Sequence, residues 1–365
     1  MGISDSVETA PAPERTAQTQ RLSVAQERFT FTGSGSEYFR IWIVNLLLTI
    51  VTLGVYSAWA KVRRTRYFYA NTMIAGASFD YHGNARSILR GRMVALLFFG
   101  AYNIAFKISA TAGFAMLAVL GATMPWLLWK SLQFKLYNTS YRGIRFGFGG
   151  TVRQVYYVYL VLPILALLSA YLAAPFVHQR IKKFQHEQSR YGRTAFSFHA
   201  SVGGFYRAYL IALAVAIGGM LIIGVSVGYA SAAFRAGGPK TASAVPGALL
   251  IILLATYVWM FLLFQLFLTL IQNTIWNNTR LGEHRFNSRM RAGRIVYIAV
   301  TNLIGIVVTL GLFVPFARIR TMKYRIESMS LIPAGSLDDF IADTQKQASA
   351  TGEGMADLLD FDLSL

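Results

Sequence analysis

The sequence contains no cysteine, which excludes disulfide bonds, thiolate metal sites and cysteine nucleophiles. Charged residues are scarce as well, at 14% of the 365 residues, whereas soluble globular chains usually carry about 25%. Acidic residues are scarcest between residues 29 and 325, where 31 of the 35 lysines and arginines stand beside only four acids: Glu37, Asp80, Glu187 and Glu283. The composition therefore places the chain well outside the class of soluble globular proteins.

Sequence motifs of known catalytic sites are missing too. The chain has no Gly-x-Ser-x-Gly elbow, no Walker loop and no Gly-x-Gly-x-x-Gly. The glycine-rich run 146–150 fits tight turns before a helix better than a phosphate-binding loop. None of the five histidines has a second histidine four residues away, the spacing of a zinc-binding helix. We therefore predict no catalytic residue, no metal ligand and no cofactor, and we do not expect an enzyme.

Weak candidates for acid–base or metal chemistry remain where the rare acids fall near histidines. One interpretation is a site that pairs Asp80 or Glu187 with His82 or His199. The two histidines occupy equivalent places in the runs Phe-Asp-Tyr-His and Phe-Ser-Phe-His, and this equivalence favours a structural role instead.

Long apolar stretches dominate what is present. Most of them reach the twenty or so residues that a helix needs to cross a bilayer. They lie at 41–60, 93–106, 110–129, 155–176, 206–230, 247–272 and 294–316. The second is short and is followed by Lys107, which predicts a hairpin near Lys107–Ser109. We predict a mainly α, polytopic helical membrane protein with a membrane domain at 28–325, a disordered N-terminal tail at 1–27 and an acidic C-terminal tail at 326–365.

One motif recurs along the chain. Asn45 precedes Thr52 by seven residues and Asn302 precedes Thr309 by seven, and each threonine begins a similar stretch of twelve residues. A degraded third copy covers 169–176. The positions singled out by this motif are Asn45, Thr52, Gly54, Lys61, Arg63, Asn302, Thr309, Gly311, Pro315, Arg318 and Arg320. The asparagines indicate either packing between helices or ligand binding, and the basic residues indicate either lipid phosphate binding or anchoring at the head groups.

A second pattern has the same period. Aromatic–x–aromatic boxes at 29–31 and 79–81 lie fifty residues apart, and so do boxes at 146–148 and 196–198. Each box alternates like a short strand and precedes a helix. Together the two patterns predict about two and a half internal repeats, which start near residues 29, 146 and 286.

The positive charges constrain the topology, because lysine and arginine concentrate on the cytoplasmic side of membrane proteins. Seven simple crossings would place strongly basic loops on both sides. The conflict disappears if 93–106/110–129 and 206–230/247–272 form two transmembrane hairpins and the three motif-bearing stretches are re-entrant. Four crossings with re-entrant elements and seven crossings both remain open. Either way, we expect a multi-pass protein of the bacterial inner membrane with cytoplasmic termini.

The charge distribution also indicates partners. The basic membrane domain favours anionic lipid head groups, and nucleic acid is disfavoured because the basic residues lie between apolar stretches of membrane length. The acidic tail is a candidate surface for a protein partner. The oligomeric state is not indicated.

The sequence resembles the YjgN family of bacterial inner-membrane proteins. The resemblance is carried by 31–33, 37–39, 42–46, the box from Thr52 to Arg63, Tyr67–Phe68 with Asn71–Thr72, and the closing runs 352–354 and 360–365. Ala58 departs from it, since the family usually has the proline that is kept at Pro315. The resemblance implies no established activity. Two functions are therefore predicted: a transporter, channel or lipid-handling protein, or else a non-catalytic scaffold or partner of another envelope protein, such as a membrane metallopeptidase.

Overall fold

The computed structural model describes residues 26–237 and 239–346, and the fold over these residues is mainly helical. The helices are α1 Gly35–Val51, α2 Ser57–Ala70, α3 Ala85–Ile108, α4 Ala110–Tyr137, α5 Val152–Leu168, α6 Ala174–Glu187, α7 Val202–Ala236, α8 Pro239–Trp276, α9 Ala292–Val308, α10 Val314–Glu327 and α11 at 337–346. α5 contains a π-helical turn at Tyr157–Val161. The mainly α prediction is confirmed. Of the N-terminal tail predicted to be disordered at 1–27, residues 1–25 lie outside the described residues, whereas Glu27 pairs with Leu331 in a strand.

The strands are short and lie between pairs of helices. They are β1 Glu27–Arg28, β2 Thr30–Phe31, β3 Thr72–Ile74, β4 Ala77–Tyr81, β5 Thr139–Tyr141, β6 Ile144–Phe148, β7 Ser189–Tyr191, β8 Thr194–Phe198, β9 Thr279–Leu281, β10 His284–Ser288 and β11 Met329–Ile332. The aromatic boxes at 79–81, 146–148 and 196–198 fall in strands, as their alternation predicted, and the box at 29–31 does so except for Phe29. The order strand–helix–helix–strand occurs five times along the described chain.

The strands join into one antiparallel sheet that closes on itself. β1 pairs with β11 and β2 pairs with β3, while only Phe29 separates β1 from β2. The segment that opens the sheet therefore also closes it, so that the sheet forms a barrel. This barrel was not predicted from the sequence. It also takes in β11, which lies within the segment that the sequence analysis assigned to the acidic tail.

Two of the strand hairpins have turns of the same kind. The loops Ala75–Gly76 and Arg142–Gly143 have positive φ at both positions, from 45° to 81°. Two residues with positive φ make the turn whose twist matches that of paired strands, and glycine is the residue that adopts it without strain.

The helices form five hairpins of two kinds. Among the described residues, four helices are long and apolar enough to cross a membrane: α3, α4, α7 and the part of α8 from Gly247 to Trp276. They form two long hairpins, α3/α4 and α7/α8, and the first turns at Ser109, as predicted. The pairs α1/α2, α5/α6 and α9/α10 form three short hairpins. Each apolar stretch that carries the motif is thus split between two helices.

The short hairpins turn in the same way. Leu53 and Gly54 have φ values of 48° and 93°, and Leu310 and Gly311 have 49° and 95°. Thr52 Oγ1 accepts a hydrogen bond from the Tyr56 N–H at 2.9 Å, and in the last short hairpin the Phe313 N–H donates to a threonine Oγ1 at the same distance. In the middle hairpin Ser169 takes the role of the threonine, and Ala170 and Tyr171 have the positive φ values.

The five hairpins pack side by side in a closed ring. α2 contacts α3, α4 contacts α5, α6 contacts α7, α8 contacts α9, and α10 returns to α1. Because each hairpin begins and ends in the barrel, the ring stands on one end of the barrel. The opposite end, where the strand turns lie, is covered by α11.

Candidate functional site

A basic pocket lies between the first short hairpin and its two neighbours. We define the basic pocket by its four cations, Lys61 and Arg64 of α2, Arg92 of α3 and Arg318 of α10. Its volume is about 270 Å³, and α1 contributes Tyr38, Trp42 and Asn45 to its wall. Lys61 and Arg64 are three residues apart in α2, so they lie on one face of the helix. Among the described residues that line this pocket there is no aspartate or glutamate.

The positive charge of the basic pocket is not compensated. Burial, together with the nearby Arg92, Arg64 and Lys135, lowers the pKa of Lys61 below its usual value. Glu37, which precedes the pocket residue Tyr38 on α1, instead accepts a hydrogen bond from the Tyr67 hydroxyl at 3.1 Å. Like charges in a partly buried space repel one another. The pocket is therefore complementary to an anion.

Asn45 supplies a second sign of an incomplete site. Its side chain is 7% exposed, and its Oδ1 is buried without a hydrogen-bond partner. A buried acceptor without a partner costs about 1–3 kcal/mol. At the corresponding position in the last hairpin, Asn302 Oδ1 accepts a hydrogen bond from Arg320 Nη1 at 2.8 Å. The matching arginine of the first hairpin, Arg63, is exposed and leaves Asn45 unsatisfied.

A middle pocket of about 570 Å³ continues from the basic pocket into the centre of the ring. Arg64 and Arg318 line both pockets, and Asn302 and Gln265 add amide groups to the middle one. Phe68 and Met322 lie at the end of the middle pocket that faces the barrel, and they also line the interior of the barrel. The pockets therefore form a series from the basic pocket to the barrel.

The barrel cavity, the space enclosed by the inward side chains of the strands, has a volume of about 380 Å³. Five of these side chains are phenylalanines stacked in sequence, with neighbouring ring centroids 6.2–6.5 Å apart. They are Phe29, between β1 and β2, and Phe79, Phe146, Phe196 and Phe286 of β4, β6, β8 and β10. The Tyr141 hydroxyl donates to the Ile74 carbonyl at 2.7 Å, and the Tyr191 hydroxyl donates to the Tyr141 carbonyl at 3.0 Å. The polar atoms of these tyrosines are thus occupied, and the cavity wall is apolar.

The structure places the predicted site residues in three different settings. Asn45, Lys61 and Arg318 line the basic pocket, and Asn302 and Arg318 line the middle pocket. The remaining motif positions build the hairpins: Thr52, Gly54, Thr309 and Gly311 form the turns, Pro315 is buried in the first turn of α10, Arg320 bonds Asn302, and Arg63 is exposed.

Two residues of the basic pocket were missed by the sequence analysis. Arg64 lies one helical turn after Lys61 in the same run of basic residues, so helical periodicity would have grouped the two. Arg92 is brought in by α3, where it hydrogen-bonds the Ser57 hydroxyl. No sequence pattern links position 92 to position 57.

The weak acid–histidine candidates are not brought together. His82 Nε2 lies 2.8 Å from Ser140 Oγ, and His199 Nε2 lies 3.1 Å from Ser197 Oγ. Glu187 forms an ion pair with Lys183 at 3.7 Å, and Asp80 is exposed on β4. Within 26–237 and 239–346, no group of three or more histidine, aspartate and glutamate side chains is arranged to hold a metal ion.

Two other histidines predict a pH-dependent stability. Burial, reinforced by the charge of Lys182, lowers the pKa of His178 and of His186 to about 4. Both are neutral in the fold, whereas in the unfolded chain they titrate near 6.5. Their contribution to stability is therefore complete above pH 6.5 and is lost as the pH falls towards 4. At pH 5.5 we expect the purified protein to be less stable by about 1 kcal/mol for each histidine, measured by thermal unfolding.

The double variant His178→Phe/His186→Phe should flatten this dependence, and His82→Phe, at an exposed position, should leave it intact. An equal acid sensitivity in all three proteins would show that other groups cause it.

Comparison with known proteins gives a family. A family model described as "Bacterial protein of unknown function (DUF898)" matches residues 26–358. The chain is 33% identical to the inner membrane protein YjgN of Salmonella typhimurium over 146 residues, which are 39% of this chain and 36% of that protein. It is also 33% identical to YjgN of Escherichia coli strain K12 over 149 residues, which are 40% of this chain and 36% of that protein. These matches thus cover about a third of the relatives' length.

No solved structure matches the chain. The family model nevertheless covers most of the sequence, and four described helices are long and apolar enough to cross a bilayer. The resemblance seen in the sequence is therefore confirmed: the chain belongs to the DUF898 family and is a membrane protein of the YjgN type.

Proposed function

We propose that the protein is a lipid-handling membrane protein that binds the anionic head group of a membrane amphiphile in the basic pocket. The observation that carries this proposal is the convergence of Lys61, Arg64, Arg92 and Arg318 on a space without a lining acid. An anion in this space would relieve the repulsion among the cations. Phosphate and carboxylate suit it best, because arginine binds both with paired hydrogen bonds.

The surroundings favour a lipid over a free anion. Trp42 and Tyr38 line the pocket, and these residue types prefer the head-group level of a bilayer. The turns beside the pocket present apolar side chains outwards: Leu53 and Leu310 are each 95% exposed. The neighbouring Val51 and Val308 are 77% and 76% exposed, and contiguous exposed apolar residues of this kind mark surfaces that lipid or protein covers. The pocket thus lies among elements suited to the interface of the membrane.

We propose further that the barrel lies on the cytoplasmic side of an inner membrane, with both termini there. The two long hairpins would cross the bilayer, and the three short ones would enter it only partway. The first helix of each short hairpin has 17 residues, about 26 Å of helix, against roughly 30 Å of hydrocarbon. The basic residues near the barrel support this side, since lysine and arginine favour the cytoplasm.

This topology predicts which single introduced cysteines can be labelled from each side of the membrane. Because the chain contains no cysteine, no native cysteine has to be replaced first. Ser87 lies where the chain leaves the barrel after β4, and Ser328 lies where it enters the barrel before β11. Cysteines at these two positions should react with a membrane-impermeant maleimide only after the cells are opened. A cysteine at Ser231, near the tip of the second long hairpin, should react in intact spheroplasts. Labelling of position 87 from outside would contradict the proposed orientation.

We also propose that the chain consists of about two and a half repeats, each of two strand–helix–helix–strand units. The similar turn geometry of the three short hairpins and the five stacked phenylalanines of the barrel support this interpretation. The scaffold function remains the alternative prediction. The series of pockets favours lipid handling, because a scaffold needs no polar space inside the ring.

Lipid retention tests the proposed function. The protein in nanodiscs with equal phosphatidylglycerol and phosphatidylcholine should retain phosphatidylglycerol when it is released into detergent and examined by native mass spectrometry. Arg64→Gln combined with Arg318→Gln should reduce the retained anionic lipid about tenfold, the equivalent of about 1.4 kcal/mol.

Arg63→Gln is the matched control, since Arg63 is the neighbour of Arg64 in α2 but is exposed outside the pocket. It should change retention less than threefold. Equal losses in the control and the pocket variant would mean that general surface charge, and not the basic pocket, holds the lipid.

A further inference from the structure

The barrel cavity is a second space that the head-group proposal does not use. Its volume of about 380 Å³ falls within the roughly 300–1,000 Å³ of typical small-molecule pockets. Leu337, Phe340 and Ile341 of α11 close the end where the strand turns lie. Water is a poor occupant, because it needs two or more polar partners in a cavity, and the tyrosine hydroxyls at this wall already bond carbonyls. The cavity is therefore suited to an apolar group.

The other end of the barrel opens towards Arg64 and Arg318, the two cations that line both the basic pocket and the middle pocket. Phe68 of α2 and Met322 of α10 line both the barrel cavity and the middle pocket. On each helix a cation stands four residues earlier: Arg64 before Phe68 and Arg318 before Met322. Four residues of α-helix rise about 6 Å. Two positive charges thus stand one helical turn away from an apolar opening, on two separate helices.

We propose that the barrel cavity holds the hydrocarbon chain of a single-chain anionic amphiphile, whose charged group lies between Arg64 and Arg318. A volume of about 380 Å³ suits one hydrocarbon chain better than two, which favours a fatty acid or a monoacyl phospholipid over a diacyl lipid. Both share a charged group next to one apolar chain. The position of the charged group rests on the proposed function, whereas the position of the chain rests on the barrel alone.

Photolabelling with chain-tagged probes tests both positions. The full-length protein in detergent would be labelled with three C16 probes that carry a diazirine at the end of the chain: a fatty acid, a monoacyl phosphatidylglycerol and an uncharged fatty alcohol. Peptide mapping should place the labels of the anionic probes on barrel residues such as Phe146 and Phe196, and unlabelled palmitate should compete. The probe with the higher saturable yield identifies the source of the ligand.

A cavity-filling variant tests the barrel. Leu337→Trp enlarges a half-buried side chain on α11 that lines the cavity, and it should lower barrel labelling by all three probes at least tenfold. Leu281→Phe, on β9, provides a second way of filling the same space. Leu254→Trp is the control, since Leu254 is 55% exposed on α8, and it should leave barrel labelling unchanged. Labels found only on the outer faces of α3, α4, α7 and α8, and equal in all variants, would overturn the barrel site.

A charge variant separates this inference from the head-group proposal. Arg64→Gln with Arg318→Gln should weaken labelling by the two anionic probes at least tenfold and leave the fatty alcohol unaffected. Barrel labelling by every probe with no change in this variant would overturn the head-group position and keep the chain site. The opposite result would be labelling by the anionic probes that the charge variant abolishes, with no label on barrel residues of the wild-type protein. That result would overturn the chain site and keep the head-group position.

Discussion

Replacing Ile341 with aspartate should release α11 from the end of the barrel. Ile341 is 4% exposed and packs in the apolar cluster with Tyr141, Tyr191 and Leu331. A carboxylate at this position would be a buried charge without a partner, which typically costs about 3–5 kcal/mol. The helix has few other attachments, so we expect it to detach while the rest of the fold remains.

The polar contacts of α11 are too weak to hold the helix alone. Arg142 pairs with Asp338 at 2.5 Å, but the Asp338 side chain is 82% exposed, and exposed ion pairs contribute about 0–1 kcal/mol. The Gln345 side chain donates to the Arg142 carbonyl at 3.0 Å near the end of the helix. The apolar face of α11 therefore supplies most of its docking energy.

Hydrogen exchange measures this release. In Ile341→Asp the amides of 337–346 should exchange at least a hundredfold faster, while those of the strands keep most of their protection. Ala342→Asp puts the same charge on the next residue, which is exposed, and should change exchange less than threefold. Protection of 337–346 that survives in Ile341→Asp would show that the apolar face is not what docks the helix.

Local patterns were sufficient to predict the helices and the strand-forming boxes. The seven apolar stretches were predicted to be helices, because the hydrocarbon of a bilayer offers no hydrogen-bond partners to free backbone N–H and C=O groups. The short strands at the boxes follow from aromatic alternation. The degraded copy at 169–176 was also identified from local residues, and its turn matches the others although Ala170 and Tyr171 replace Leu-Gly.

Closure of the barrel could not be predicted in the same way. It depends on Glu27 pairing with Leu331, which are 304 residues apart, and no short-range pattern sets that register. For the same reason, the sequence predicted only some of the residues that line the basic pocket. Lys61 and Arg318 belong to the motif, but Arg92 reaches the pocket only because α3 packs against α2. The similar motifs indicate which positions correspond along the chain, whereas the site depends on which hairpins become neighbours.

Gly219→Leu should separate the two helices of the longest hairpin. Gly219 is a buried residue of α7 where a Cβ atom would overlap the indole ring of Trp259 on α8. Small residues allow membrane helices to pack closely, and a leucine here would force out a large, rigid ring. Overpacking of this kind costs about 1–3 kcal/mol, and we expect the upper part of that range because the added Cβ would lie within 2.7 Å of three atoms of the indole ring.

The neighbouring glycine provides a control with the opposite expected sign. A Cβ atom at Gly218 meets nothing within 4 Å, so Gly218→Leu should stabilise α7 slightly, since glycine in a helix is about 0.5–1 kcal/mol worse than alanine. The midpoint of thermal unfolding, measured in one detergent, should therefore be lower than that of the wild-type protein for Gly219→Leu. For Gly218→Leu it should be equal to the wild-type value or higher. Adding Trp259→Ala to Gly219→Leu should recover at least half of the loss, because it removes the side chain that the leucine displaces. If Trp259→Ala only adds its own cost, the two helices do not meet at this pair, and the second long hairpin packs through other residues.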